Sequence, residues 1–131
     1  MQLNKVKYIV PHIDVVQSVD RVALARALSA RAAAAGRSIG ALIQVNIAEE
    51  PQKGGVRPDG LDQLIREARH MEGLSLRGLM AIMPLADDPE RVRPYFRAMR
   101  ALYDRLRDEQ GAAFDTLSMG MSGDCLVAAQ E

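Results

Sequence analysis

Four short apolar stretches, at residues 13–19, 41–47, 74–82 and 117–121, recur along the chain, and the segments between them carry helical spacing. This alternation limits the fold more than any other feature. Strands separated by helix-length segments cannot close tight hairpins, so each joins the next by a crossover that leaves the pair parallel. Parallel strands are covered on both faces, and the nearly unbroken apolar run Leu42-Ile43-Gln44-Val45-Asn46-Ile47 has that character. The alternation predicts an α/β fold of four parallel strands with alternating helices, forming one domain over residues 1–131.

The intervening segments fit this scheme. Residues 21–35 are alanine-rich with Leu24 and Leu28 four apart; Asp20 is placed to cap that helix and Gly36 to stop it. Leu61, Leu64, Ile65, Ala68 and Met71 mark an amphipathic helix that ends at Gly73. Asp87, Asp88 and Pro89 open another, whose stripe of Val92, Phe96, Met99, Leu102, Tyr103 and Leu106 faces a core. A short helix over residues 5–10 is closed by Pro11. The connection at 48–58, with Glu49, Glu50, Pro51, Lys53, Gly54, Gly55, Arg57 and Pro58, reads equally as cover for a site or as a mobile surface loop. No glycine-rich dinucleotide fingerprint follows the first strand, which argues against a nucleotide-binding doubly wound sheet. Ser18, Asn46 and Ser118 stand near the C-terminal ends of strands, where barrel sites lie.

The last strand carries the candidate site. Leu117, Met119 and Met121 alternate with small polar residues, then Gly120, Ser122 and Gly123 strip bulk from the backbone. Asp124 precedes Cys125-Leu126-Val127-Ala128-Ala129 and is placed to cap a further helix, leaving hydroxyls and N–H groups for a phosphate. The same pattern describes an ordinary structural βα loop, and both readings stay open from the residues alone.

Composition narrows the class of partner. The formal net charge is +0, so no basic field draws the chain to nucleic acid or anionic lipid. Aromatic residues make up 4% and the chain has seven Met, so the core is aliphatic. No apolar run is long enough to span a bilayer and no signal peptide is recognisable, so a cytoplasmic protein is expected. The one cysteine, Cys125, fits a reducing compartment and a buried hydrophobic role. His12 and His70 lack acidic or thiol partners at ligand spacing and read as surface residues. Glu49-Glu50 and Asp87-Asp88 belong to a loop and a helix start rather than to acid–base chemistry.

The segment LSMGMSGD, from Leu117 to Asp124, resembles the pyridoxal-phosphate homeostasis protein family, the alanine-racemase-like single-domain barrels of fold type III. Gly78-Leu79-Met80-Ala81-Ile82, Val92-Arg93-Pro94-Tyr95-Phe96, Leu42 to Ile47, Asn4-Lys5-Val6-Lys7-Tyr8 and Ser18-Val19-Asp20 extend the likeness in order along the chain. The resemblance implies a partial (β/α)8 TIM-type barrel that corresponds to the family's central portion and lacks its first and last strands. Complete barrels of this type run to about 250 residues. The family's first strand carries the lysine that holds pyridoxal phosphate as a Schiff base, and Lys5, Lys7 and Lys53 are the only lysines here. None falls on an expected inward-facing strand, where burial would lower its pKa, so all three read as solvated.

The resemblance thus implies a truncated, non-enzymatic relative with weak, non-covalent binding of pyridoxal phosphate or a small phosphorylated ligand. Ser118, Met119, Gly120 and Ser122 would recognise the phosphate, and Met80 and Asn46 would line the pocket. The alternative is a ligand-free structural half-barrel. Four parallel strands leave two edges and an inner face uncovered, so a homo-oligomer, most simply a dimer, is expected in either case.

Overall fold

The computed structural model describes residues 1–131. The chain opens with one winding of helix: a 3-10 turn at Leu3–Lys5, α1 (Val6–Ile9) and a second 3-10 turn at Val10–His12. Pro11 does not end it, because a proline in the first turn of the last segment breaks no hydrogen bond. Then follow β1 (Val15–Val19), α2 (Val22–Ala34), β2 (Ile39–Gln44), α3 (Pro58–Ala68), β3 (Leu74–Ala81), α4 (Arg93–Gln110), β4 (Thr116–Met119) and α5 (Cys125–Gln130). The strands form one parallel sheet in the order β1-β2-β3-β4. Neighbours in the sheet are neighbours in the chain, which is the arrangement of successive units in a (β/α) barrel.

The sheet has one covered face. Ile39, Ala41, Ile43, Leu79 and Ala81 join Leu24, Leu28, Leu61, Ile65, Phe96 and Met99 in one continuous core under the helices. The opposite face carries Gln44, Met80 and Ser118, which lie side by side in register across β2, β3 and β4. That face is concave: Gln17 of β1 and Ser118 of β4, on opposite edges of the sheet, meet through a hydrogen bond of 2.9 Å. An irregularity after Leu76 resets the alternation of β3, so that Leu74 and Leu76 before it and Leu79 and Ala81 after it all point to the helices. Gly78 sits at that step with φ 153°, and a Cβ there would stand 1.7 Å from the Thr116 carbonyl oxygen.

Three expectations change in the structure. β1 alternates between buried Val16 and Val19 and exposed Val15 and Gln17, because it is an edge strand with one face open. The Asp20 side chain caps nothing; Arg21 occupies the N-cap of α2 and pairs with the Asp20 carboxylate. Cys125 is exposed rather than buried. Asp88 does act as expected, its carboxylate accepting the Glu90 N–H at 2.9 Å to open the 3-10 turn Pro89–Val92 that leads into α4. No helix is long and apolar enough to cross a membrane.

Candidate functional site

A cleft of about 560 Å³ opens at the C-terminal ends of β2, β3 and β4. One wall is the loop that carries Glu50, Gln52 and Lys53, the floor is the connection from Ile82 to Ala86, and the other wall is the turn from Met121 to Asp124. A volume of this size suits a small ligand. A smaller cleft of about 150 Å³, lined by Gln44, Asn46 and Gly54, adjoins it through Lys53 and Ile82. A groove of about 500 Å³ also lies between the N-terminal winding and α2, lined by apolar residues together with Asn4, Lys7 and Arg31.

The 120–124 turn is built by its small residues. Gly120 has φ 92°, and a Cβ there would stand 2.8 Å from Cβ of Ala128, so only glycine lets the turn close against α5. The Asp124 carboxylate accepts the Met121 N–H at 2.5 Å, and the N–H groups of Asp124 and Cys125 donate to the Met121 carbonyl. Asp124 therefore holds the turn and does not cap α5 with its side chain, as the sequence suggested. The N–H groups of Gly120, Ser122 and Gly123 have no acceptor within the chain, and Ser122 is exposed with its hydroxyl unengaged. Backbone donors left open in this way are able to receive an anion.

The other expected residues fall into three places. Ser118 and Met80 are partners in register on the concave face, with the Ser118 hydroxyl donating to Oε1 of Gln17. Met119 points the other way and packs against the core, so its side chain meets no ligand on the concave face. Asn46 is buried and organises the loop: Oδ1 accepts the Glu50 N–H at 3.1 Å, while Nδ2 donates to the Glu50 carbonyl at 2.8 Å and to the Lys53 carbonyl at 3.4 Å. Its amide holds a wall of the cleft instead of offering free groups to it.

The loop adds a residue that the sequence left on the surface. Nζ of Lys53 donates to the Met83 carbonyl at 2.9 Å and stands 2.6 Å from Oε2 of Glu50. The Glu50 contact is an ion pair without the alignment of a hydrogen bond, since that oxygen has no aligned donor. Glu49 adopts φ 54° and pairs with Arg57, which fastens the outer part of the loop. The three-residue spacing of Glu50 and Lys53 was visible in the sequence; the Met83 carbonyl, thirty residues away, was not. Lys5 and Lys7 are exposed in the N-terminal winding. No group of three or more His, Cys, Asp or Glu side chains is positioned to hold a metal.

Beyond the turn, charges tie the C-terminal end of α5 to the start of α4. Arg93 forks onto Glu90 with both contacts at 2.7 Å, and also donates to Glu131 at 2.5 Å and to Gln130 at 2.6 Å. Arg97 adds a contact to Glu131 at 3.0 Å. The Arg97 and Arg93 guanidinium groups hold the Glu131 carboxyl below its ordinary range, and Arg93 does the same to Glu90. Across the sheet, Arg77 and the Thr116 hydroxyl lower the carboxyl of Asp115.

The model of the alanine racemase N-terminal domain matches residues 1–131. A pyridoxal phosphate homeostasis protein of Aquifex aeolicus is 41% identical over 131 residues, which are 100% of this chain and 58% of that protein. One from Pasteurella multocida is 35% identical and is matched over 99% of this chain and 56% of its own length. The chain thus spans a little over half the length of these curated relatives. Among solved structures, PipY of Synechococcus elongatus with pyridoxal phosphate bound superposes with a TM-score of 0.86 at 30% identity, over 99% of this chain and 60% of that one. D-threonine aldolase of Filomicrobium marinum, at 21% identity and a TM-score of 0.76 over 99% of this chain and 37% of that one, shares the fold.

Proposed function

The chain belongs to the alanine racemase N-terminal domain family, and on that footing we propose that it binds pyridoxal phosphate, weakly and without a covalent bond, at the C-terminal ends of its strands. The observation that carries this reading is the 120–124 turn, whose Ser122 and Gly123, each with an unengaged N–H, line a ligand-sized cleft, with the N–H of Gly120 also unengaged beside them. Phosphate oxygens accept hydrogen bonds, and a turn with open N–H and O–H donors, whose one carboxylate, Asp124, is engaged by the Met121 N–H, suits them. Gly120 and Ser122 would take the phosphate. Ser118 and Met80 would meet the ring from the concave face, Met119 would contribute its backbone only, and Asn46 would act by holding the opposite wall. Pyridoxal phosphate bound to PipY and the names of the curated relatives favour this ligand over another phosphate ester.

When bound, the cofactor supplies an aldehyde. Lys53 is the one lysine beside the cleft, and its ammonium is engaged by Met83 and Glu50. An amine already engaged by a carbonyl and a carboxylate is not turned toward the aldehyde, which supports a binding protein over an enzyme. The test is a pyridoxal-phosphate titration followed by absorbance, then borohydride trapping with peptide mapping. Saturable binding that weakens about tenfold in Ser122→Ala, on the scale of one charge-assisted hydrogen bond, with no trapped peptide, is the expected result. An adduct on Lys53 would overturn the non-covalent part, and no saturable binding would overturn the whole.

A second reading, a half-barrel that associates with itself, is favoured by the exposed apolar side chains of Ile82, Leu85, Met121 and Leu126 and by the outer edges of β1 and β4. Light scattering tests it, and a monomer across the concentration range would remove it.

A further inference from the structure

We infer that Arg93 is the positioning residue of the 120–124 turn, holding the far end of α5 so that the turn keeps the shape described above; the inference rests on the binding reading only for its effect on a ligand. α5 follows the turn directly. It buries only Val127 and Ala128, exposes Cys125, Leu126, Ala129 and Gln130, and has no side-chain cap at its start. Its position must be fixed from outside.

Arg93 supplies that fixing. One guanidinium reaches Gln130 and Glu131 at the end of α5 while it is itself forked onto Glu90, in the 3-10 turn that Asp88 caps. The Arg93 and Glu131 side chains are only 20% and 14% exposed, so this pair is screened less than an open surface ion pair. A planar fork serves three partners at once, which an ammonium cannot do. The path from α5 to the turn is short, because Ala128 packs directly over Gly120. A shift of α5 therefore moves the backbone that offers the free N–H groups.

The experiment compares the unmodified chain with Arg93→Gln, Arg93→Lys, Glu131→Gln and, as a control, Arg107→Gln, whose side chain is exposed on α4 and has no ion-pair partner. Amide hydrogen exchange of peptides covering residues 119–126 is measured without ligand, and affinity is measured with pyridoxal phosphate and separately with inorganic phosphate. Exchange in the turn should quicken about fivefold in Arg93→Gln and Glu131→Gln, be partly restored in Arg93→Lys and stay unchanged in Arg107→Gln. Affinity for both probes should fall by a similar factor in Arg93→Gln, and by less than the product of the separate effects when Ser122→Ala is added. Exchange in Arg93→Gln equal to that of the control would overturn the inference. If neither probe binds the unmodified chain, the cofactor reading fails, while the exchange data still decide the role of Arg93.

Discussion

Asn46 shows how one side chain governs a stretch that looks unstructured. Its amide meets three backbone groups of the loop that walls the cleft, and a carboxamide is the neutral side chain that both accepts and donates there. Asn46→Ala should cost about 2–3 kcal/mol by leaving those groups without partners. Urea unfolding measures the loss, and faster tryptic cleavage after Lys53 should accompany it. The turn at Gly120 and Ser122 was legible because its chemistry is local: a strand that turns glycine-rich must stop and expose its backbone. Lys53, Gln17 and Arg93 were not legible, because what each touches lies 30, 101 and up to 38 residues away. The direction of the Met119 side chain was not legible either, since its alternation with Ser118 puts the two on opposite faces and only the fold decides which face holds the core.

At the level of elements, the pattern of apolar spacing carried the reading. All four strands and the three long helices lie where periodicity placed them, with ends shifted by a few residues, as in β2, which closes at Gln44 before Val45 bridges to Val56. The caps were less legible. Asp20 and Asp124 each stand where a cap belongs, yet each carboxylate meets a nearer donor, the Arg21 side chain in one case and the Met121 N–H in the other. α4 is the element whose stripe was clearest, and Phe96 at its centre is fully buried against the sheet. Phe96→Ala should destabilise the fold by about 3–5 kcal/mol, measured as a shift of the urea midpoint without a change of slope.

For the whole molecule, the formal charges cancel, and what matters is where they pair. Asp115, Glu90 and Glu131 all have carboxyl groups held below their ordinary range by arginines. A group whose folded pKa is depressed contributes stability above its unfolded pKa and loses it as pH falls through the folded value. The urea midpoint should therefore stay level from neutral pH down to about 5 and decline below that, as carboxylates take up protons. Asp115→Asn combined with Glu131→Gln should flatten part of that decline, and an unchanged acid profile would contradict it. The hydrogen bond between Gln17 and Ser118 has a consequence on this same scale. In a sheet whose neighbours are also neighbours in the chain, each βα unit can add to the last with little loop closure, so most pairings form without waiting for the others. The bond from first strand to fourth completes only when every unit between them is in place. It joins the beginning of assembly to its end, and makes the curvature of the sheet a property that the four units hold in common.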